Sequence, residues 1–497
     1  MLTQKLILSY SSRMGIQFIQ MVVGVVVARI AGPTVIGTVA FGLSYVSMFL
    51  FITDMGTPTA HIKLINDGEN EGDCIVTFAT IKFFLIGIFV FVILSIFFWQ
   101  KFILKQPFET KTHEVIIFIT LGTILINEFY KIINATFVAH VEQAKQDIPQ
   151  IIYSLIFQIL RLSVVLLGYR AIAIVSSKLI AVLCVAPLYY YFFRRYPLGK
   201  FDMQLAKKYL TISLPVIIVV FSQTVIYWSD RVILQFLTNS VEVGFYVAAF
   251  GFSNFIRLIQ NSAGTIFFPT FTKHLSNGDY FKINNLIKKY ERFNFIFVMP
   301  FIMFSAIYSK TIIKIVLGSK YLPTIPIFSI IMIAVFIPVL SLPYGNIIFG
   351  KGMFKLSAKI SFIAMIYFVI IIFILSNPVI FDLKGVGVAL GLLSTNLFLW
   401  IMFVVFSKKY IPEIKVLKDL KIGIIGIIYS VLFFFLFKIL ANGFIVKTVM
   451  ALIFFIGYWG VLFLFKKISK KDLFFIREIL NINKMKKYVK DEISIKE

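Results

Sequence analysis

The chain has 497 residues, of which 59% are hydrophobic and only 14% charged, with a formal net charge of +26 at pH 7 and a mean hydropathy of +0.93. A soluble domain carries about 25% charged residues, and single cores stop growing near roughly 250–300 residues, so the surplus apolar surface must face lipid. This excludes a soluble enzyme. It also disfavours nucleic-acid binding, because the basic residues are scattered over short loops rather than gathered on one face.

A bilayer-spanning helix needs about 20 apolar residues. In chain order such runs fall at 14–31, 36–56, 75–99, 115–139, 149–168, 171–193, 211–229, 243–268, 293–309, 324–349, 357–377, 385–407, 420–439 and 444–465. They predict an all-α integral membrane fold of about 14 helices, because the runs are too long and too uniformly apolar for alternating barrel strands. The first run begins near Gly15 and reads as a retained span rather than a cleaved signal. Lysine and arginine concentrate on the loops that share a side with the N-terminus, which places both termini in the cytoplasm and the chain, multi-pass, in the plasma (inner) membrane. Cys74 and Cys184 give neither a disulfide framework nor metal spacing.

Ala40-Phe41-Gly42-x-Ser44 recurs as Ala249-Phe250-Gly251-x-Ser253. Two six-helix bundles would explain the repeat, and transporters often bind substrate between such halves. The expected division is an N-terminal six-helix lobe over 1–200, a C-terminal six-helix lobe over 201–410, two extra helices over 411–466 and a basic cytoplasmic tail over 467–497. Between the eighth and ninth spans, Asp279, Phe281, Leu286, Ile287 and Tyr290 among lysines predict a short amphipathic helix on the cytoplasmic surface. Leu473, Ile476 and Leu480 in the tail follow a similar pattern suited to an anionic leaflet. Prolines 187, 215, 300, 338 and 343 lie inside spans, and the last two predict a broken tenth helix.

Several motifs are decoys. Gly345 to Gly352 reads GNIIFGKG and nearly fits a phosphate-binding loop, but Gly352 stands where the magnesium-holding hydroxyl belongs and no strand precedes it. Gly385, Gly387 and Gly391 have the wrong spacing for a dinucleotide fingerprint and suit close helix packing. Asn134-Ala-Thr136 is a sequon by spelling only, and His61, His113, His140 and His274 show no ligand spacing. Nothing pairs a nucleophile with a base. The chain therefore reads as a transporter rather than an enzyme, without cofactor or metal, driven by a proton, a sodium ion or the membrane potential.

Ionisable groups at bilayer depth are costly and usually functional. Those within the predicted spans are Lys82, Glu128, Lys131, Arg161, Lys178 and Arg257, while Arg13 and Arg29 bracket the first span and Asp54 and Asp230 lie at span ends. Local explanations exist for some: Glu128 and Lys131 can pair three residues apart, Asp230 can pair with Arg231, and Arg13 and Arg29 can snorkel to headgroups. Lys82, Arg161, Lys178 and Arg257 lie on the order of 10 Å deep at 1.5 Å rise per residue, with no matching count of carboxylates. A water-filled cavity holding an anion would resolve the imbalance, and lysine and arginine suit phosphate. Substrate-binding candidates are thus Lys82, Lys131, Arg161, Lys178, Arg257, Arg13 and Arg29; ion-coupling candidates are Glu128, Asp54 and Asp230.

The stretch Ala28-Arg29-Ile30-Ala31-Gly32-Pro33, continuing through Gly37, Ala40, Phe41 and Ser44 to Asp54-x-Gly56, resembles the opening of Wzx-type polysaccharide flippases. These belong to the multidrug/oligosaccharidyl-lipid/polysaccharide exporter superfamily. Leu214-Pro215, Asp230-Arg231, Val243-Gly244-x-Tyr246-x-Ala248-Ala249, Pro269, Gly318-x-x-Tyr321 and Gly350 extend the likeness over about residues 1–465. The resemblance implies two MATE-like lobes facing each other in a V, alternating access, and a polyprenyl-pyrophosphate-linked oligosaccharide, such as an O-antigen repeat unit, as cargo. It implies membrane lipids and a polysaccharide polymerase as partners of a monomeric flippase. Two alternatives stay open: a multidrug/cation antiporter of the same fold, disfavoured by the basic cavity, and a peptidoglycan-precursor flippase, whose first span often bears several arginines where this one has only the bracketing Arg13 and Arg29.

Overall fold

A computed structural model of the chain describes residues 2–105, 108–417, 419–440 and 443–467, and the side chains of these except 2–14, 215, 254–255, 257–270 and 444. Among the described residues every regular element is helical. The α-helices in order are α1 (Leu2–Ser47), α2 (Phe51–Asp54), α3 (Thr57–Asn66), α4 (Glu71–Phe98), α5 (Lys111–Ala139), α6 (Gln143–Leu166), α7 (Ala171–Cys184), α8 (Ala186–Phe193) and α9 (Met203–Leu237). There follow α10 (Ser240–Ser276), α11 (Tyr280–Phe293), α12 (Met299–Ile307), α13 (Ser309–Val316), α14 (Thr324–Gly350), α15 (Phe354–Ser376), α16 (Lys384–Tyr410), α17 (Leu420–Leu440) and α18 (Phe444–Leu464). Side-chain caps start several of them: Asn70, Asp202, Asn239 and Asp279 each accept a backbone N–H in the first turn of α4, α9, α10 and α11.

Among the described residues, twelve stretches are long and apolar enough to cross a membrane. The all-α membrane fold is therefore as expected, while the count of about 14 is not reached by this measure. The first two expected spans lie in one 52-residue stretch, Gly15–Asn66. It is bent at Gly32, whose backbone (φ 82°, ψ 169°) leaves the helical region where only glycine goes freely. The expected eighth span lies in α10, whose first stretch of described side chains, Ser240–Ser253, is apolar.

Helices α2 to α8 pack chiefly on one another and on α1, as α12 to α16 do on one another and on α10, with α17 and α18 against α12; α1 and α9 each pack on both groups. The two groups meet where α9 lies against α1 to α4, with the Tyr209 hydroxyl 2.6 Å from His61 Nδ1, and where α1, just past Gly32, crosses the start of α10. A Cβ on Gly37 would lie 1.7 Å from the Ser240 carbonyl oxygen, and one on Gly244 would lie 2.0 Å from that of Pro33. The two backbones thus touch, which in lipid, where no hydrophobic force drives helices together, is how association is gained. Gly387 and Gly391 act alike between α16 and α15, as the sequence suggested: their added Cβ atoms would meet Leu375 and Ile372.

The tenth helix is not broken. Helix α14 runs through both Pro338 and Pro343. Each proline removes the N–H that would serve the carbonyl four residues back, and neighbouring helices replace it. Asn396 Nδ2 donates to Ala334 O at 2.9 Å and the Tyr290 hydroxyl to Val339 O at 3.0 Å. Pro300 is handled likewise, with Trp459 Nε1 donating to Ile296 O at 3.0 Å from α18. Backbone groups in lipid must find protein partners, so these side chains fix where α11, α16 and α18 dock. The expected surface helix at 279–290 is also different in place. It is α11, joined through a π-helical turn, Asn294–Val298, to α12 as one stretch, Tyr280–Ile307. Its Ile283 and Ile287 are buried against Phe271, Tyr344 and Ile411 rather than laid on lipid. Leu473, Ile476 and Leu480 lie outside the described residues.

Candidate functional site

Helices α1, α5, α6 and α8 enclose a cavity of about 660 Å³. Its lining is polar in a particular way: Gln17, Gln20, Asn127, Asn134, Gln146 and Gln150 supply amides, Tyr130, Tyr153 and Tyr189 supply rings and hydroxyls, Ser154 a hydroxyl and Lys131 the one charge. Helical spacing builds it. Asn127, Lys131 and Asn134 share one face of α5, and Gln146, Gln150 and Ser154 share one face of α6. Gln20 Nε2 donates to Ser154 Oγ at 3.2 Å, and Asn134 Nδ2 to the Tyr189 hydroxyl at 3.1 Å. The Tyr130 and Tyr189 rings stack at 4.2 Å.

Lys131 is held by Glu128, Nζ to Oε1, at 2.6 Å, and its side chain remains 40% exposed. Glu128 is 1% exposed and turns its other oxygen to Lys82 Nζ at 3.2 Å. Lys82 is sealed from solvent and also donates to Thr53 O at 2.6 Å. One carboxylate therefore serves two lysines, a net charge of +1 whose outward member faces the cavity.

The other sequence candidates spread along the membrane. Arg161 lies farther along α6, its Nη2 3.6 Å from where a Gly24 Cβ would stand, over the Phe157 ring at 5.3 Å. Its Nε and Nη2 are buried without a hydrogen-bond partner among the described residues. Lys178, half-buried on α7, has no ion pair among them. Arg29 stands by the Gly32 bend, where Nη1 donates to Ile315 O at 3.0 Å. The side chains of Arg13 and Arg257 lie outside the described residues. Asp54 ends α2 and accepts the Gly56 N–H at 3.2 Å. Asp230 is buried with Arg231 at 3.1 Å and takes the Tyr246 hydroxyl at 2.7 Å. Among the described residues no three His, Cys, Asp or Glu side chains form a metal site.

Charge-based reading of the sequence missed two features. The amides of the cavity carry no charge, although their helical spacing was visible. The second is a latch between the two helix groups near Gly32. Glu109 accepts the Ser240 N–H at 2.9 Å, the Ser240 hydroxyl and the Gln235 amide. His113 Nε2 lies 3.0 Å from Ser240 Oγ. Tyr321 donates to Ala28 O at 2.9 Å beside it. Burial opposes ionisation of Glu109, but the hydrogen bonds from Ser240 and Gln235, with His113 nearby, hold its carboxyl below the ordinary range.

A family model described as polysaccharide biosynthesis protein matches residues 2–275, more than half of the chain. The chain belongs to this family. Its fold is shared with solved transporters. A structure titled lipid II flippase MurJ, inward closed conformation, superposes with a TM-score of 0.69 at 14% identity, covering 92% of this chain and 99% of that one. An inward-facing multidrug resistance MATE family transporter of the MOP superfamily follows at 0.61 and 12%, covering 81% and 98%. At these identities the likeness establishes the fold. No curated protein matches the chain.

Proposed function

We propose that this protein flips a polyprenyl-pyrophosphate-linked oligosaccharide, a polysaccharide repeat unit of the O-antigen kind, from the cytoplasmic to the outer leaflet by alternating access. The observation that carries the reading is the cavity wall. In a chain of the polysaccharide biosynthesis family, a ligand-sized cavity presents, among the described residues, one ammonium group, Lys131, and no acidic side chain. That suits an anion with an uncharged polar body and disfavours an organic cation, which would call for a carboxylate.

The bias of lysine and arginine supports cytoplasmic termini. The Gly32 end is then the outer end, and this state is closed there by the α1–α10 crossing and the Glu109 latch. Lys131 sits about 12 Å from the inner end of α5, Lys178 about 10 Å and Arg161 about 7 Å from the outer ends of their helices, at 1.5 Å per residue. Cations at successive depths give a pyrophosphate partners along its route. The two lobes, 1–200 and 201–410, would rock about the cargo, with 411–466 docked on the second. Membrane lipids surround the assembly, and a polysaccharide polymerase would take the product on the outer side.

The test is Lys131→Met in proteoliposomes. Losing one charge-assisted contact of about 1.5–3 kcal/mol should slow flipping of the lipid-linked oligosaccharide at least tenfold. An unchanged rate would remove Lys131 from the site. Export of a soluble organic cation, with no lipid moved, would replace the flippase with the antiporter.

A further inference from the structure

We infer that the amide-and-tyrosine cavity of the first lobe is a saccharide-recognition site, which reads the neutral glycan of the cargo separately from the cationic groups that hold its phosphates. The inference rests on the functional reading above and deepens it.

A carboxamide offers both donors and acceptors, as does each hydroxyl of a sugar, while charge is of no use to a neutral ring. The cavity at about 660 Å³ falls within the roughly 300–1,000 Å³ of small-molecule sites. A cavity built to hold only phosphate would carry several cations. Among the described residues this one carries Lys131 alone, at the edge of the Glu128 pair, and surrounds it with amides from three helices. Several of these polar groups are not spent on the protein. Gln17 and Gln150 are exposed to the cavity and bond to no other described residue. Asn134 gives its NH₂ to Tyr189, and its Oδ1 is buried with no partner. A buried acceptor left unpaired is costly, and a ligand hydroxyl would relieve it.

A bland alternative is a polar seam that merely joins helices. Seam amides bond one another across the interface, as Gln20 does with Ser154. Gln17 and Gln150 do not, and they border an open volume. The adjoining Tyr130–Tyr189 stack contributes an aromatic wall, a surface against which the C–H face of a sugar ring can rest. Lys131 sets the register: a pyrophosphate at its ammonium leaves the first sugars beside Asn134 and Gln150, toward the inner end.

The test uses the full chain and two probes: a polyprenyl pyrophosphate bearing a neutral trisaccharide, and the same polyprenyl pyrophosphate without sugar. Native mass spectrometry reads binding, and proteoliposomes read flipping. The double variant Gln17→Leu/Gln150→Leu removes two groups that support no described contact, so folding is spared. The wild type should prefer the glycosylated probe, and the double variant should lose that preference by about tenfold, the effect of two neutral hydrogen bonds, while binding the sugarless probe unchanged. Lys131→Met should weaken both probes alike. Equal binding of the two probes by the wild type, or an undiminished preference in the double variant, overturns the inference even if flipping proceeds. Preference without flipping keeps the site and sinks the transport reading instead.

Discussion

Replacing Glu128 by Gln should be among the most damaging single changes in the membrane region. The carboxylate is 1% exposed and neutralises Lys82, which is fully buried, at 3.2 Å, while also holding Lys131 at 2.6 Å. Without it the Lys82 ammonium keeps only the Thr53 carbonyl, at 2.6 Å. Breaking a buried pair from one side costs about 3–5 kcal/mol, because a charge is left in a low dielectric. Removing both charges costs far less, since well-packed apolar groups often replace a buried pair without loss. Glu128→Gln should therefore unfold at lower denaturant by about 3 kcal/mol or more, and Lys82→Met added to it should restore most of that. Lys82→Met alone should be mild, because Glu128 retains Lys131. Equilibrium unfolding in mixed micelles measures all three. A Glu128→Gln protein as stable as the wild type, or no recovery in the double variant, would refute the structural role. It would return Glu128 to the list of ion-coupling groups, where charge alone had placed it.

Three other outcomes are expected. Gly244→Ala puts a methyl 2.0 Å from the Pro33 carbonyl oxygen, so it should prise α1 from α10, seen as a longer distance between spin labels on Lys111 and Lys320, exposed residues of the first and second helix groups. The Glu109 carboxyl titrates below its ordinary 4.5. Its contribution to outer closure is thus fully present above 4.5 and lost as pH falls through the lowered value; the distance between spin labels on exposed Lys111 and Lys320 should be constant from neutral pH to 4.5, grow below it, and be long and pH-independent in Glu109→Gln. Asn396→Leu and Tyr290→Phe each strand a carbonyl that a proline has orphaned, and each should lower unfolding stability by about 0.5–2 kcal/mol.

How far these features were legible depends on the kind of signal each leaves. Long apolar runs declare helices in lipid, so the all-α membrane fold and the approximate limits of most helices were visible in advance. Tight helix contact was visible at Gly387 and Gly391, because a glycine four residues from another on an apolar helix has few other uses. The pairing of Glu128 with Lys131 followed from their spacing, but the arrival of Lys82 from α4 is a tertiary fact that no local pattern encodes. Pro338 and Pro343 pointed to a break, and the break is averted by Asn396 and Tyr290, residues far away in the chain whose roles exist only after packing. The amides of the cavity were passed over because attention to charge ignores neutral groups. In a chain this apolar, Asn127 and Asn134 on one face of a spanning helix were a signal in their own right.

The central claim is that a lipid-linked glycan crosses the membrane through this protein, drawn outward by its negative charge. A pyrophosphate diester carries roughly two charges, so an interior-negative potential of 100 mV supplies about 5 kcal/mol at about 2.3 kcal/mol per charge. The measurement is flipping of a polyprenyl-pyrophosphate oligosaccharide in proteoliposomes holding the intact protein, with the potential set to zero, then to either sign. The account predicts transport that accelerates when the compartment on the side of the termini is negative and reverses with the sign. Transport absent at every potential, or indifferent to its sign, would contradict it.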